Sequence, residues 1–182
     1  SVGRMKSTNL NKFDYIFVRQ DPPYNIEYIS SMHLLEQINS RTRIINNPQG
    51  IRNAPEKISM LKHNKIIPPT MITRSKDEIN IFLSKHGTSV IKPLYGNGGE
   101  GVFLLNKNDK NFNQIIESFI LYKKEPFILQ KFIPQVRNGD KRIILIDGEP
   151  VAAIKRMPKN NEIRSNIHVG ANCQKTKLTK QD

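Results

Sequence analysis

The sequence predicts an α/β protein whose two parts are built differently. In the first part, apolar runs of strand length alternate with segments of helical periodicity, an order typical of a parallel sheet. In the second part, short β-branched runs joined by glycine turns indicate antiparallel strands. The change between the two patterns falls near Glu125-Pro126.

The first part predicts a strand, a helix, a second strand and a further helix. Residues 13–19 form a short apolar run, which the prolines at 22 and 23 end. Residues 26–39 repeat apolar side chains every three positions, as a helix does. Residues 43–46 are a second strand, and the pattern then predicts one helix over 51–64, which carries Lys57.

Beyond residue 64 the pattern predicts the following elements. Residues 70–73 form a strand, and Ser75 with Glu78 three positions later forms the capping box of a helix that ends at Gly87. The Asp147-Gly148 pair is a hairpin turn signal. The other predicted elements are a helix over 112–122, strands over 127–133, 143–146 and 150–156, and a polar loop that reaches 172.

A glycine-rich hairpin lies between these elements. The β-branched run that starts at Ser89 includes Lys92, and the loop after it contains Gly96, Gly98, Gly99 and Gly101. Glycines leave backbone N–H groups accessible, and such groups bind phosphate oxygens. The hairpin therefore predicts a nucleotide-phosphate site. It is not a Walker motif, which needs a lysine and a hydroxyl residue that open a helix.

A nucleic-acid-binding module is the alternative interpretation of the glycines. The loop fits the Gly-x-x-Gly pattern of KH modules, and the chain is basic, with a formal net charge of +13. That pattern joins two helices in KH modules, whereas here it joins two strands. The basic residues are also spread along the chain, so we expect no nucleic-acid partner.

Composition restricts the class of protein further. Hydrophobic residues make up 37% of the chain and charged residues 25%, as in globular domains. No apolar run approaches the roughly 20 residues that cross a bilayer, so no membrane partner is expected. The single cysteine fits a reducing, cytoplasmic location, and the four histidines lack zinc-binding spacing.

Eight stretches together resemble the ATP-grasp superfamily and, within it, the bacterial glutathione synthetases. They follow that family's order across nearly the whole chain. The stretches are Arg19-Gln20-Asp21-Pro22-Pro23-Tyr24, Asn47-Pro48-Gln49, Glu56-Lys57, Ile91-Lys92-Pro93-Leu94-Tyr95-Gly96-Asn97-Gly98-Gly99, Gln130-Lys131-Phe132-Ile133-Pro134, Gly139-Asp140-Lys141-Arg142, Asp147-Gly148-Glu149-Pro150 and Arg164-Ser165-Asn166-Ile167.

The resemblance implies an ATP-grasp fold and an ATP-dependent ligase that forms a C–N bond. ATP would phosphorylate γ-glutamylcysteine, and the amine of glycine would attack the acyl phosphate to give glutathione. An ATP-grasp ligase for another amino acid is an alternative. The residues implied to act in catalysis are Arg156, Arg164 and Asn166. Those implied to bind the nucleotide are Lys57, Lys92, Gly96, Gly98, Gly99, Gln130, Lys131, Phe132, Ile133, Asp140 and Arg142. In the family's arrangement, Gln130 to Ile133 would line an adenine hinge, Asp140 would hold the ribose, and Arg156 would stabilise charge on the transferred phosphoryl group.

The resemblance also implies a domain order and departures from the family. Residues 1–50 would end a preceding α/β domain, 51–126 would form the first ATP-grasp lobe, and 127–182 would begin the second. The chain is expected to be cut at both ends, to lack the family's Mg²⁺ ligands and to be inactive alone, while the family forms homo-oligomers. Ser165 stands where the family has glycine, and Gly170-Ala171-Asn172-Cys173 replaces its later glycines and arginine.

Overall fold

The computed structural model describes residues 3–4, 6–122, 124–160, 162–180 and 182. It divides the chain into two units, Ser1–His63 and Asn64–Asp182. Among the described residues, every helix is too short or too polar to cross a membrane.

The first unit contains the predicted strand, helix and second strand. Strand β1 (Tyr15–Phe17) pairs in parallel with β2 (Arg43–Ile45), and helix α1 (Ile26–Leu35) lies between them in sequence. The Asn25 side chain begins α1 by accepting a hydrogen bond from the backbone N–H of Tyr28. The expected parallel strand–helix–strand order is therefore confirmed.

The single helix predicted over residues 51–64 is wrong. The chain instead forms α2 (Pro48–Asn53), α3 (Glu56–Ser59) and a 3₁₀ helix over Met60–His63. Pro55 separates the first two because proline has no backbone N–H and its ring clashes with the carbonyl four residues earlier. Lys57 consequently lies on a helix of only four residues.

A four-stranded antiparallel sheet organises the second unit. Its strands lie in the order β3-β6-β4-β5, so β4 and β6 occupy the centre. Helices α4 (Lys76–His86) and α5 (Phe112–Tyr122) follow β3 and β5 in sequence. The strands are β3 (Thr70–Thr73), β4 (Ser89–Pro93), β5 (Phe103–Leu105) and β6 (Phe127–Lys131).

One face of this sheet is covered by a hydrophobic core. Ile91 of β4 and Phe127 and Leu129 of β6 are fully buried, and they belong to one cluster with Ile116 and Phe119 of α5. Side chains alternate between the faces of a strand. Ser89, Ile91 and Pro93 of β4 are accordingly buried, whereas Val90 and Lys92 are half-buried. The core face therefore leaves Lys92 on the more accessible side.

Helix α4 begins and ends as predicted, although its capping box is indirect. The Ser75 hydroxyl accepts a hydrogen bond from the N–H of Glu78, and Gly87 ends the helix with a φ of 72°. The Ser75 N–H donates to the Thr73 hydroxyl at 2.9 Å, and that hydroxyl donates to the Glu78 carboxylate. Thr73 thus connects the two groups that a capping box would join directly.

The remaining strands form a three-stranded antiparallel sheet. Strand β7 (Asp140–Ile146) pairs with β8 (Glu149–Met157), which pairs with β9 (Asn172–Lys175). The predicted turn is present, with φ values of 50° at Asp147 and 85° at Gly148. Strand β9 was not predicted because its four residues are polar or small and show no apolar alternation. Every residue of these strands is exposed or half-buried.

Candidate functional site

Lys92 is held by a chain of hydrogen bonds across the four-stranded sheet. Its Nζ donates to Oε1 of Gln130 at 2.9 Å, and Nε2 of Gln130 donates to Oγ1 of Thr70 at 2.8 Å. The Thr70 hydroxyl donates in turn to the carbonyl of Pro68 at 2.7 Å. In this series of three hydrogen bonds, the Gln130 amide nitrogen donates to Thr70, which fixes the Gln130 amide with its oxygen toward the Lys92 ammonium group. Lys92 is therefore positioned just before the glycine loop.

The glycine loop, residues 96–101, turns in a conformation that requires glycine. The N–H of Glu100 donates to the carbonyl of Asn97 at 3.0 Å, which closes a four-residue turn. Its two central residues, Gly98 and Gly99, have φ values of 61° and 87°. Positive φ at both central positions is the geometry of a type I′ turn, which joins antiparallel strands. Strand β4 pairs with β5 in antiparallel register, from Ser89 opposite Leu105 to Ile91 opposite Phe103, so the predicted hairpin is confirmed.

The glycine loop contacts a segment that lies more than 60 residues later. We call residues 162–171 the arginine loop. The carbonyl of Gly99 accepts a hydrogen bond from Nη1 of Arg164 at 3.1 Å. A Cβ atom added at Gly99 would lie 2.9 Å from Oδ1 of Asn166, closer than side chains normally approach. At Gly98 it would lie 3.7 Å from Cδ2 of His168. The structure therefore brings Gly99 against Arg164 and Asn166, and Gly98 against His168.

Glu162 holds Arg164 in this position. Nη2 of Arg164 lies 2.6 Å from Oε2 of Glu162. The other carboxylate oxygen, Oε1, accepts hydrogen bonds from the N–H groups of Ile163 and Arg164. The hydrogen bond from the Arg164 side chain is the largest cause that lowers the pKa of Glu162 to about 2, and the same contact raises the pKa of Arg164. Sequence reasoning missed Glu162, for which the only signal was an acidic residue two positions before a predicted site arginine.

Asp140 and Arg156 bind each other on the three-stranded sheet. They are directly opposite on β7 and β8, and Nε and Nη2 of Arg156 donate to the two Asp140 oxygens at 2.7 and 2.5 Å. The side-chain hydrogen bond with Asp140 raises the pKa of Arg156. The resemblance implied separate roles for these residues, at the ribose and at the phosphoryl group. A ligand that binds Asp140 or Arg156 must therefore either share the hydrogen bonds between these two side chains or replace them. Arg142 is exposed, two residues further along β7.

The predicted adenine hinge, Gln130 to Ile133, lies where β6 ends. The N–H of Lys131 donates to the carbonyl of Pro69 at 2.9 Å, and the N–H of Phe132 donates to that of Thr88 at 3.1 Å. These two donors therefore serve the protein and would reach an adenine edge only if those bonds broke. Gln130 contacts Lys92, so its side chain is part of the phosphate side of the predicted site. Ile133 is about half exposed.

The other predicted residues are placed as follows. Gly96 lies at the start of the glycine loop, where an added Cβ would meet Pro93 at 3.1 Å. Lys57 is half-buried on α3 and belongs to the first unit. Across the part of the chain that the structure describes, no three His, Cys, Asp or Glu side chains are grouped to hold a metal ion.

Comparison with known proteins supports the fold and the family. The family model for the prokaryotic glutathione synthetase ATP-grasp domain matches residues 56–182, and the model for the N-terminal domain of the same proteins matches residues 1–52. The glutathione synthetase of Bradyrhizobium diazoefficiens is 44% identical over 182 residues, which are 100% of this chain and 58% of that protein. The chain thus spans little more than half the length of the curated relatives it matches.

Two solved structures have a similar fold. D-cycloserine synthetase DcsG superposes with a TM-score of 0.71 at 15% identity, over 94% of this chain and 62% of that chain. The ATP-grasp ligase PsnB, complexed with a precursor variant, Mg and ADP, superposes with a TM-score of 0.57 at 16% identity, over 84% of this chain and 48% of that chain. The predicted α/β ATP-grasp fold is confirmed. By its matching domains, the chain belongs to the prokaryotic glutathione synthetase family.

Proposed function

We propose that the chain is part of an ATP-dependent ligase that joins γ-glutamylcysteine to glycine and so forms glutathione. The observation that carries this proposal is the contact of the glycine loop with Arg164 and Asn166, in a chain whose residues 56–182 match the family's ATP-grasp domain. The glutathione synthetase from Bradyrhizobium, 44% identical, supports the choice of substrates. We also propose the domain limits 1–50, 51–126 and 127–182, and a cytoplasmic location.

The reaction needs two steps that this geometry suits. A carboxylate oxygen of γ-glutamylcysteine attacks the γ-phosphorus of ATP and ADP leaves, which gives an acyl phosphate. The amine of glycine then attacks the acyl carbon, phosphate leaves, and the amine loses a proton. Positive groups and backbone N–H donors that are already in place stabilise the charge on the transferred phosphoryl group.

We assign these side chains distinct tasks in the two steps. Lys92, held by Gln130, binds the phosphates together with the N–H groups of the glycine loop. Arg164 and Asn166 close over the acyl phosphate and exclude water, which would otherwise hydrolyse it. Arg156 stabilises the phosphoryl group once its ion pair with Asp140 is shared or opened.

Mg²⁺ is part of the proposal for the whole ligase. It would neutralise charge on the triphosphate. The PsnB ligase complexed with Mg and ADP supports this. The described residues hold no group of three metal-binding side chains, so the described part of the chain does not by itself fit the ion.

The experiment uses the protein encoded by the full reading frame that contains these residues. ATP binding is measured by calorimetry, and glutathione formation is measured with γ-glutamylcysteine, glycine, ATP and Mg²⁺. Lys92→Ala should weaken ATP binding by about tenfold or more, because it removes a charge-assisted contact to phosphate. Lys107→Ala is the matched control, since the Lys107 ammonium contacts Ser84 at an exposed position, and it should bind ATP as the wild type does.

The outcomes separate the candidate functions. Glutathione formation together with the Lys92 effect supports the proposal. ATP-dependent ligation of an amino acid other than glycine would keep the ligase and replace the substrate. Binding of single-stranded RNA that falls steeply with salt, without nucleotide binding, would overturn the proposal.

A further inference from the structure

We propose that Glu162 is a positioning residue that holds the Arg164 guanidinium against the Gly99 carbonyl and so makes the glycine loop and the arginine loop move as one unit. The effect of this coupling on catalysis rests on the proposed function. The coupling itself is a property of the folded chain and can be tested without any substrate.

The Glu162 carboxylate accepts three hydrogen bonds. Oε2 of Glu162 contacts Nη2 of Arg164 at 2.6 Å, while Oε1 accepts the N–H groups of Ile163 at 2.9 Å and Arg164 at 3.1 Å. The carboxylate therefore fixes both the backbone of residues 163–164 and the side chain of Arg164. Hydrogen bonds to charged groups are roughly twice as strong as neutral ones.

The Arg164 guanidinium that Glu162 holds also contacts the glycine loop. Nη2 binds Glu162, and Nη1 of the same planar group donates to the Gly99 carbonyl at 3.1 Å. Because a guanidinium is rigid, the orientation set by Glu162 also sets the direction of the second bond. Glu162 thus acts on the glycine loop through Arg164, although it lies 63 residues away in sequence.

The arginine loop resists independent movement. The carbonyl of Asn166 accepts the N–H groups of Val169 at 3.1 Å and Ala171 at 3.3 Å, which braces the loop internally. Ser165 is 4% exposed, so the peptide bond after Arg164 lies against protein. Gly99 fits this surface closely, with Asn166 within 2.9 Å of where a Cβ would lie. A displacement of either loop is therefore opposed by the other.

Trypsin provides a direct readout, because it cleaves after arginine only where the chain is accessible. The rate of cleavage at the Arg164–Ser165 peptide bond therefore reports how often the arginine loop opens. Glu162→Ala should increase the rate of cleavage at this bond by about tenfold, the factor expected when a charge-assisted hydrogen bond is lost. Glu162→Asp keeps the charge and should restore part of the protection. Cleavage after Lys107, at an exposed position, serves as the internal control and should not change. Synthetic peptides spanning residues 158–170, with and without each Glu162 substitution, measure how the substitution changes cleavage when no folded structure protects the bond.

A glycine pair tests the coupling from the other loop. Gly99→Ala places a Cβ against Asn166 and should accelerate cleavage after Arg164 by about tenfold, as the loss of Glu162 does. Gly148→Ala is the matched control, because Gly148 has φ +85°, close to the +87° of Gly99, yet an added Cβ there would meet nothing within 4 Å. It imposes the same backbone strain and should leave cleavage after Arg164 unchanged.

The double variant decides whether the two loops form one unit. If they do, Glu162→Ala combined with Gly99→Ala should be cleaved no faster than about the faster single variant, since either change already separates the loops. If the two substitutions acted independently, their effects on the cleavage rate would multiply to about a hundredfold over the wild type, and that result would overturn the coupling. Unchanged cleavage in Glu162→Ala would show that Glu162 does not position Arg164.

The catalytic consequence is measured on the full-reading-frame protein. Glu162→Ala should lower kcat by about tenfold with little change in the KM for ATP, because Arg164 acts on the reacting groups and not on nucleotide binding, and Glu162→Asp should recover part of the rate. An increase in the KM for ATP with kcat unchanged would contradict the positioning role. If no glutathione forms at all, the proposed function fails, while the result with trypsin still decides the coupling.

Discussion

The two sheets of the second unit differ in what holds them in place. The four-stranded sheet rests on a core in which Ile91, Phe127 and Leu129 are fully buried. In the three-stranded sheet, Leu145 and Ile146 are each 60% exposed, and no strand residue among those described is buried. Core packing thus fixes the first sheet, whereas backbone hydrogen bonds and the Asp140–Arg156 pair fix the second.

This difference matters for the candidate site, because each sheet supplies part of it. Lys92 and Gln130 lie on the face opposite the core, so their backbone positions are determined by packing beneath them. Asp140 and Arg156 depend on each other for their positions, and a change in one is expected to move the other. The part of the candidate site on the four-stranded sheet should therefore be rigid, and the part on the three-stranded sheet adjustable.

The largest expected effect is on the free energy of unfolding, when an isoleucine is shortened to alanine in one sheet or in the other. Ile91→Ala leaves a cavity in the core and should lower the free energy of unfolding by about 2–5 kcal/mol. Ile144→Ala changes a side chain that is 45% exposed and should lower it by under about 1 kcal/mol. Urea unfolding followed by circular dichroism measures both. Equal losses would mean that the three-stranded sheet has a core of its own.

An intermediate effect is expected when the ion pair is broken. Asp140→Asn removes the charge opposite Arg156 and should destabilise the pairing of β7 with β8 by about 1 kcal/mol, since the Asp140 side chain is partly solvated. Hydrogen exchange of the β7 and β8 amides reports this as faster exchange near Arg156. Glu149→Gln, at the other end of the same ladder, is the control and should exchange as the wild type does. Unchanged exchange in Asp140→Asn would show that backbone bonds alone hold the strands.

The prediction of element positions was most accurate where apolar periodicity was strong. The strands of the four-stranded sheet, α4, α5 and the hairpin turn at Asp147-Gly148 follow from local patterns, because burial on one face imposes the period. The helix predicted across Pro55 was wrong, although proline's missing N–H was visible in the sequence. Strand β9 could not be predicted, since its four residues are polar or small and show no apolar alternation.

The candidate site was less predictable than the fold. The glycine pattern pointed to Gly99 and the family resemblance to Arg164, but neither predicted their hydrogen bond, because a contact between distant residues depends on how the strands are arranged. The Asp140–Arg156 pair was missed for the same reason. Glu162 has no motif of its own, and only its contact with Arg164 marks it.

The smallest expected effect is a dependence of stability on pH. It arises from Glu162 in the arginine loop, outside both sheets. The pKa of Glu162 is about 2, below its ordinary value of 4.5, so its ionisation stabilises the folded chain fully above pH 4.5. This stabilisation decreases as pH falls from 4.5 to about 2 and is absent below that. The difference in unfolding free energy between the wild type and Glu162→Gln should be constant from pH 6 to pH 8 and shrink over the acid range. A difference that grows on acidification would contradict the lowered pKa.

The close approach of Gly99 to Asn166 also limits which sequences can occupy this fold. A larger residue at position 99 would collide with the Asn166 amide and with the side chain of Arg164, in a backbone conformation that other L-residues rarely adopt. Such a replacement is expected to survive only together with a shorter side chain at position 166. Positions 99 and 166 should therefore vary together, and a library that randomises both should recover linked pairs of residues.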